Sequence, residues 1–233
     1  MHDKIYKFFN NIENIFPCEQ YDDHASKIPV PYTIIDDFLP TEIYNQLLLE
    51  IQNINNDTLT NFEHKSSRRK ECRNFTEVPL IQTLSNSFQS SQFLYWLEKI
   101  TDTKKLIPDP HLRGAGFARV LSGEKLGLHT DFNWNDQLSL NRRVNLILYT
   151  NKEWDSSWNG DLEFWNKEGT KSLANIEPIG NRLVFWNYEP WLIHGHSKIL
   201  NTPLYVGRDS LIQFYYTSNA TWEVTPARSN FYD

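Results

Sequence analysis

The 233-residue chain has no apolar run that approaches the length of a membrane-spanning helix, so a helical anchor in the bilayer is not expected. Its first residues, MHDKIYKFFNNIENIF, mix charges with apolar side chains. They hold neither a continuous apolar segment nor a small-residue cleavage site, which argues against a secretory signal. Cysteine is scarce: Cys18 and Cys72 are the only two, and neither sits in a CxxC or zinc-type spacing. Two free thiols in a reducing compartment are the expectation, and with the missing signal they predict a soluble, cytoplasmic protein. An excess of positive charge is also lacking. The formal charge is −6, which argues against nucleic acid as partner because phosphate binding needs a basic face. The best basic run, residues 65–70 with Arg68 and Arg69, reads as a solvated loop. No repeat and no low-complexity tract is visible.

Aromatic residues, by contrast, make up 14% of the chain and include eight tryptophans, too many for a disordered segment of this length. The length suits one domain able to bury a core without covalent staples. Residues 1–27 read as an arm or a short amphipathic helix. Residues 29–35 read as a strand with its prolines at the beginning, where they are tolerated. A helix follows Pro40, with Ile43, Leu47, Ile51 and Ile54 at helical spacing, and residues 53–61 read as a loop. Further helices are expected over 79–88 and from Ser91 as N-cap, the latter stacking Phe93, Leu97 and Ile100. From Gly114 onward short β-rich runs alternate with turn residues. Strands are expected at 117–121, 126–131, 143–150, 161–165, 171–176, 182–186, 191–194 and 210–217. The fold class that follows is mainly β with N-terminal helices (α+β), the β part a double-sheet jelly roll or barrel. Three stretches are assigned: 1–111 as arm and supporting helices, 112–218 as catalytic β-core and 219–233 as tail, all within one structural domain.

His129 and Asp131 stand two apart at the end of an expected strand, so imidazole and carboxylate share a face. His194, 63 residues after Asp131, closes the apolar stretch Trp191-Leu192-Ile193 and is the candidate third ligand. His196, two residues on, is the competing choice. Two histidines and a carboxylate form the facial set of non-haem Fe(II) oxygenases, which leaves positions open for a bidentate co-substrate and O2. The bland alternative is a surface histidine beside a loop-capping aspartate. His2, His24, His64 and His111 fall outside the pattern and read as ordinary histidines. Arg208 and Ser210 share a strand face 14 and 16 residues after His194. A guanidinium grips a carboxylate bidentately and a neighbouring hydroxyl adds a bond, which suits the distal carboxylate of 2-oxoglutarate. A strand-edge arginine paired with a surface acid is the alternative. Tyr149, on one face with Asn145 and Ile147, can reach the same carboxylate, and Asn145 can orient a ligand. The tryptophans read as core or rim packing, with one or two of them lining a cleft.

As an ordered set, these motifs resemble the prolyl 4-hydroxylase-type branch of the Fe(II)/2-oxoglutarate dioxygenases. The matching stretches are LHTDFN (128–133), RRVNLILYTNKEW (142–154), GDLEFW (160–165), PIGNRLVFW (178–186), HGHSKIL (194–200) and GRDSLIQFYYT (207–217), with PYTIIDDFLP (31–40) upstream. The resemblance implies a double-stranded β-helix (jelly roll, cupin-like) fold. It implies iron on His129, Asp131 and His194, and 2-oxoglutarate on Arg208, with Ser210 on the companion position. Fe(II), 2-oxoglutarate and O2 are the implied cofactors, with ascorbate as a stimulant. Because relatives that halogenate replace the carboxylate with a small residue, Asp131 implies hydroxylation of an unactivated C–H as the default outcome, with desaturation and ring closure left open. The implied substrate is a proline in a peptide or protein, or else a free amino acid or small molecule. Two departures are a longer gap between His194 and Arg208, which reads as a loop insertion over 201–205, and Asp161 where a second glycine is frequent. Three competing functions stay open: a nucleic-acid demethylase of the same chemistry, a zinc or manganese jelly-roll enzyme, and a non-catalytic binding module.

Overall fold

Aromatic and aliphatic residues at helical spacing bury the N-terminal segment. The computed structural model describes residues 1–24, 27, 29–55, 57, 59–64, 67–218 and 226–232. The expected arm is α1 (His2–Asn10) followed by the short α2 (Ile12–Ile15). Ile5, Phe8, Phe9 and Ile12 form one face at i, i+3, i+4, i+7 spacing, and all four are buried. Phe9 meets Phe88 edge-on at 5.1 Å, and Phe8 meets Phe38 at 5.4 Å. Helix α3 (Thr41–Gln52) buries Ile43, Tyr44, Leu47 and Ile51. Helix α4 (Pro79–Phe88) opens on proline, which has no N–H to leave unpaired there. The Glu50 carboxylate accepts the next two amides, Leu80 and Ile81, and so caps α4 from α3. Helix α5 (Ser91–Thr101) is capped one residue earlier than expected: Ser90, not Ser91, accepts the Phe93 amide.

The strands are β1 (Tyr32–Ile35), β2 (Thr60–His64), β3 (Ser67–Cys72), β4 (Ile107–Pro108), β5 (Gly116–Val120), β6 (His129–Thr130), β7 (Trp134–Asn135), β8 (Leu140–Tyr149), β9 (Leu162–Trp165), β10 (Ser172–Ile176), β11 (Leu183–Asn187), β12 (Ile193–Gly195), β13 (Arg208–Thr217) and β14 (Asn230–Phe231). The larger sheet runs β1-β11-β8-β13-β5-β3-β2, with β4 on β13 and β7 on β8. The smaller runs β10-β9-β12-β6-β14, and the pairings in both sheets are antiparallel. Their inner faces meet through contacts such as Phe164 on Trp186, at 5.3 Å, which makes the β part a jelly roll. The helices lie against the larger sheet: Phe93 meets Tyr215 of β13, and Trp96 meets Phe185 of β11. One hydrophobic core runs without a break from Ile5 to Tyr216. No helix among the described residues is long and apolar enough to cross a membrane.

The eight strands expected after Gly114 all form, with ends shifted by up to three residues. The largest contraction is at 126–131, where only His129–Thr130 pairs. The basic run is not a solvated loop: residues 65 and 66 lie outside the described residues, but Arg68, Arg69 and Lys70 belong to β3. The end of the expected loop, from Thr60, is already β2. Of the expected tail, residues 219–225 and 233 lie outside the described residues, and Asn230–Phe231 forms the edge strand β14 on β6.

Candidate metal and co-substrate site

Antiparallel pairing of β6 with β12 sets His129 opposite His194, with ring centroids 4.5 Å apart. The approach depends on Gly195, which has φ +146°. A Cβ there would lie 2.6 Å from the Gly127 carbonyl oxygen, so any side chain would push the two strands apart. Each imidazole donates from Nδ1 to the backbone carbonyl two residues before it: His129 to Gly127 at 2.9 Å and His194 to Leu192 at 3.3 Å. These partners assign the tautomer and leave both Nε2 lone pairs free. Asp131 follows β6 by one residue, and its carboxylate lies 3.7 Å from His129 Nε2 and 3.3 Å from His194 Nε2. One donor atom from each of the three lies within 4.8 Å of the others. Burial, reinforced by the neighbouring His194, holds the His129 pKa down to about 3, so the ring is neutral and able to donate a lone pair. Two imidazoles that present Nε2 and one carboxylate are a donor set that fits a ferrous ion. His196 does not join them. Its Nε2 accepts the Leu126 amide at 2.9 Å and its Nδ1 faces the Lys198 carbonyl, so both nitrogens are engaged with backbone.

Asp131 is itself held from behind. Arg142 Nη1 lies 2.5 Å from its Oδ2, and the Asn145 amide donates to the same oxygen at 2.9 Å. Burial alone would raise the Asp131 pKa, but the Arg142 guanidinium, with the His194 ring beside it, overcomes it and keeps the carboxyl well below the usual range. The Arg142 guanidinium is fully buried between the Phe132 and Phe214 rings, 3.8 and 3.7 Å from their centroids. The sequence reading missed this residue because of a β-bulge. A strict period of two from Asn145 turns Arg143 inward. The ladder to β13, however, pairs Val144 with Tyr215 and Arg142 with Tyr216, skipping Arg143. Arg143 is therefore exposed and Arg142 faces inward. A second basic residue at the start of a buried strand was the available signal, although it could not say which of the two pointed in.

On the inner face of the larger sheet, Ser210 pairs with Tyr149, Ile212 with Ile147 and Phe214 with Asn145. Arg208 opens β13 on this face and is buried. Its Nε donates to the Gly160 carbonyl at 2.7 Å and its Nη2 to the Tyr149 hydroxyl at 3.1 Å. Gly160 has φ +88°, and a Cβ there would lie 3.2 Å from Arg208 Cδ and 2.6 Å from Leu200. A cavity of about 560 Å³ joins this arginine to the histidine cluster. Its walls include Ser210, Ile147, Leu162 and Trp186, the one tryptophan lining it among the described residues. A guanidinium at one end and a three-donor cluster at the other match a dicarboxylate that chelates a metal through its second end. Of the seven expected site residues, the cavity takes in His129, Asp131, His194, Arg208 and Ser210 directly. Tyr149 reaches it through Arg208, and Asn145 through Asp131.

Comparison with known proteins agrees with this geometry. Residues 115–216 match the 2OG-Fe(II) oxygenase superfamily, a span that contains all seven residues. The match covers the β-core that carries the site and places that core in this superfamily. As an oxygenase of this kind it uses Fe(II) and 2-oxoglutarate. No curated protein matches its sequence. Among solved structures, a prolyl hydroxylase from Trichoplax adhaerens, in complex with a hypoxia-inducible-factor peptide, is 18% identical. It aligns over 94% of this chain and 96% of its own, with a TM-score of 0.61. A Pseudomonas putida prolyl-4-hydroxylase is 17% identical over 86% and 98%, with a TM-score of 0.62. HygX from Streptomyces hygroscopicus, with nickel, 2-oxoglutarate and hygromycin B bound, is 12% identical over 82% and 84%, with a TM-score of 0.52. At these identities the likeness is one of fold.

The oxygenase carries features around its cavity that the sequence reading set aside. The Phe231 ring lies on the His129 imidazole, centroids 4.9 Å apart and tilted by 21°. His64 lies on the other side of Phe231 at 4.4 Å. A histidine read as ordinary thus stands at the cavity mouth, brought there by a hairpin that the sequence reading did not find.

Proposed function

We propose that His129, Asp131 and His194 hold the iron of this oxygenase, that Arg208, Tyr149 and Ser210 bind the distal carboxylate of 2-oxoglutarate, and that the enzyme hydroxylates a proline within a peptide chain. The observation that carries this reading is the single cavity with a three-donor cluster at one end and a buried arginine at the other. Arg208 cannot rotate away, because Gly160 and Tyr149 fix two of its nitrogens. The buried guanidinium gives a carboxylate a charge-assisted partner away from water. Arg142 and Asn145 fix the Asp131 carboxylate by its Oδ2. When bound, Fe(II) and 2-oxoglutarate supply O2 activation coupled to decarboxylation, which yields succinate, CO2 and one oxygen atom for a C–H bond. The protein's part is to orient the reactants and keep water out, for which Ile147, Leu162, Trp186 and Ile212 supply apolar walls. Two of the structural relatives named above are prolyl hydroxylases, one crystallised on a peptide, which supports peptidyl proline. HygX with hygromycin B bound supports a small-molecule substrate as the second reading.

The test has two parts. Anaerobic addition of Fe(II) and 2-oxoglutarate should produce a visible charge-transfer band. Arg208→Gln should weaken 2-oxoglutarate binding by roughly 100-fold, the equivalent of about 3 kcal/mol for a buried charge-assisted contact. Succinate release over a panel of proline peptides, free amino acids and aminoglycosides, with mass spectrometry for one added oxygen, then identifies the substrate class. A protein that forms no band, or an Arg208→Gln variant with unchanged 2-oxoglutarate affinity, would rule the assignment out.

A further inference from the structure

The chain is acidic overall, yet its active-site cavity is not. Arg69, Arg73, Arg113 and Arg228 all line the cavity, with His64 beside them, while Asp131 is the one acidic residue lining it among the described residues. The four arginines come from three separate places: strand β3 and its end, the loop before β5, and the segment before β14. All four reach solvent, from the mostly covered Arg69 side chain at 12% exposure to the exposed Arg228. They therefore stand around the opening and not at its floor.

Their local partners do not neutralise them. Arg69 and Arg73 share a single carboxylate, Glu71, with contacts of 2.6 and 2.9 Å. Arg113 pairs with Asp136 at 2.8 Å, an acid whose side chain is 70% exposed. Arg228 has no ion pair among those of the described residues. Four guanidiniums against two carboxylates leave a positive surplus at the mouth. The pairs also serve to pre-position the cations: Glu71 holds two of them, and Phe62 and Phe132 lie under Arg69 and Arg113 at 4.8 and 5.1 Å. A cation fixed before binding loses less side-chain freedom when its ligand arrives.

Building on the proposed peptide hydroxylation, we infer that the substrate is an acidic peptide, with aspartate or glutamate side chains flanking the oxidised residue on both sides. A small anion would call for arginines converging on one point. Cations from three elements around an opening suit charges spread along an extended chain that crosses it. A cleft of one sign in a protein of the opposite sign also concentrates and steers its ligand.

The test measures binding apart from turnover. The anaerobic complex with Fe(II) and 2-oxoglutarate is titrated against fluorescein-labelled peptides of 15 residues with one central proline. They differ only in their flanks, which are acidic, neutral or basic, and a single-stranded oligonucleotide is run in parallel. The acidic peptide should bind about tenfold or more tighter than the neutral one, and the difference should shrink as salt rises. Arg228→Glu, a change at an exposed residue, and the double variant Arg73→Glu/Arg228→Glu should remove that preference and raise affinity for the basic peptide. The charge-transfer band reports separately on the iron and 2-oxoglutarate site. A wild-type protein without the band breaks the underlying assignment. A protein with the band that binds acidic and neutral peptides equally, or prefers the oligonucleotide, overturns the acidic-peptide inference alone, and one with the band that binds no peptide overturns the peptide substrate with it.

Discussion

Arg142 shows how much a single buried charge decides here. Without metal, it is the one full positive charge in direct contact with Asp131, a carboxylate with little access to water. Removing one partner of such a pair typically costs about 3–5 kcal/mol, because the remaining charge stays buried. Arg142→Met should therefore lower the thermal midpoint of the metal-free protein by many degrees. A divalent ion bound beside Asp131 takes over the role of counter-charge, so saturating Ni(II) should raise the midpoint of the variant more than that of the wild type. Equal shifts in thermal unfolding scans would show that Arg142 does not serve as the counter-charge to Asp131. A second effect concerns the co-substrate end. Gly160→Ala adds a Cβ 3.2 Å from Arg208 Cδ on a backbone with φ +88°. The KM for 2-oxoglutarate should rise about tenfold or more, since small displacements of a positioning group cost that much. The histidines and Asp131 were legible in the sequence because their spacing is a chemical statement, and Arg208 was legible because of its place behind them. Arg142 was not, since a bulge of one residue reverses which of two adjacent arginines faces inward.

At the level of elements, the helices matter as a platform for the larger sheet. Phe9 touches Phe38, Phe88 and Phe93, which belong to three other segments, and is 1% exposed. Phe9→Ala should cost about 3–5 kcal/mol, read as a shift of the urea midpoint with little change in slope. A loss below about 1 kcal/mol would mean that α1 is an appendage to the core. The amphipathic reading of residues 1–27 was available because apolar side chains recur at helical spacing. The β2–β3 hairpin gave no such signal. Its sequences TNFEH and SRRKEC are largely polar, and β2 is mostly exposed. It forms because Lys70, Glu71 and Cys72 extend the ladder of β5, a non-local backbone pairing that leaves no hydrophobic pattern behind. The same hairpin supplies His64, Arg69 and Phe62 to the cavity, so the least legible element carries much of the mouth.

Across the whole molecule, the proposed iron site is tied to the chain's last described segment. β6 is only two residues long and has β12 on one edge and β14 on the other. Beyond the ladder, the Phe132 amide donates to Ser229 Oγ at 3.1 Å and the Asn133 amide to the Ala227 carbonyl at 3.3 Å. The Tyr232 amide closes the far side on the Leu128 carbonyl at 2.8 Å. His129 and Asp131 therefore lie on a stretch whose outer edge is secured mainly from a segment almost a hundred residues later. Neither composition nor periodicity could reveal this, because a two-residue strand has no pattern, and the net charge likewise conceals a cationic opening. Truncation after residue 225 leaves β6 bonded on one edge alone. Hydrogen exchange at the Phe132 and Asn133 amides should then rise towards the rate of unprotected loops, while the amides of β8 and β13 in the larger sheet keep their protection. Divalent-metal affinity should fall by about tenfold, the lower end of what loss of a supporting shell costs. Unchanged exchange at those two amides would mean that the loop carrying Asp131 keeps its shape without β14, and the C-terminal segment would then serve the mouth of the cavity alone.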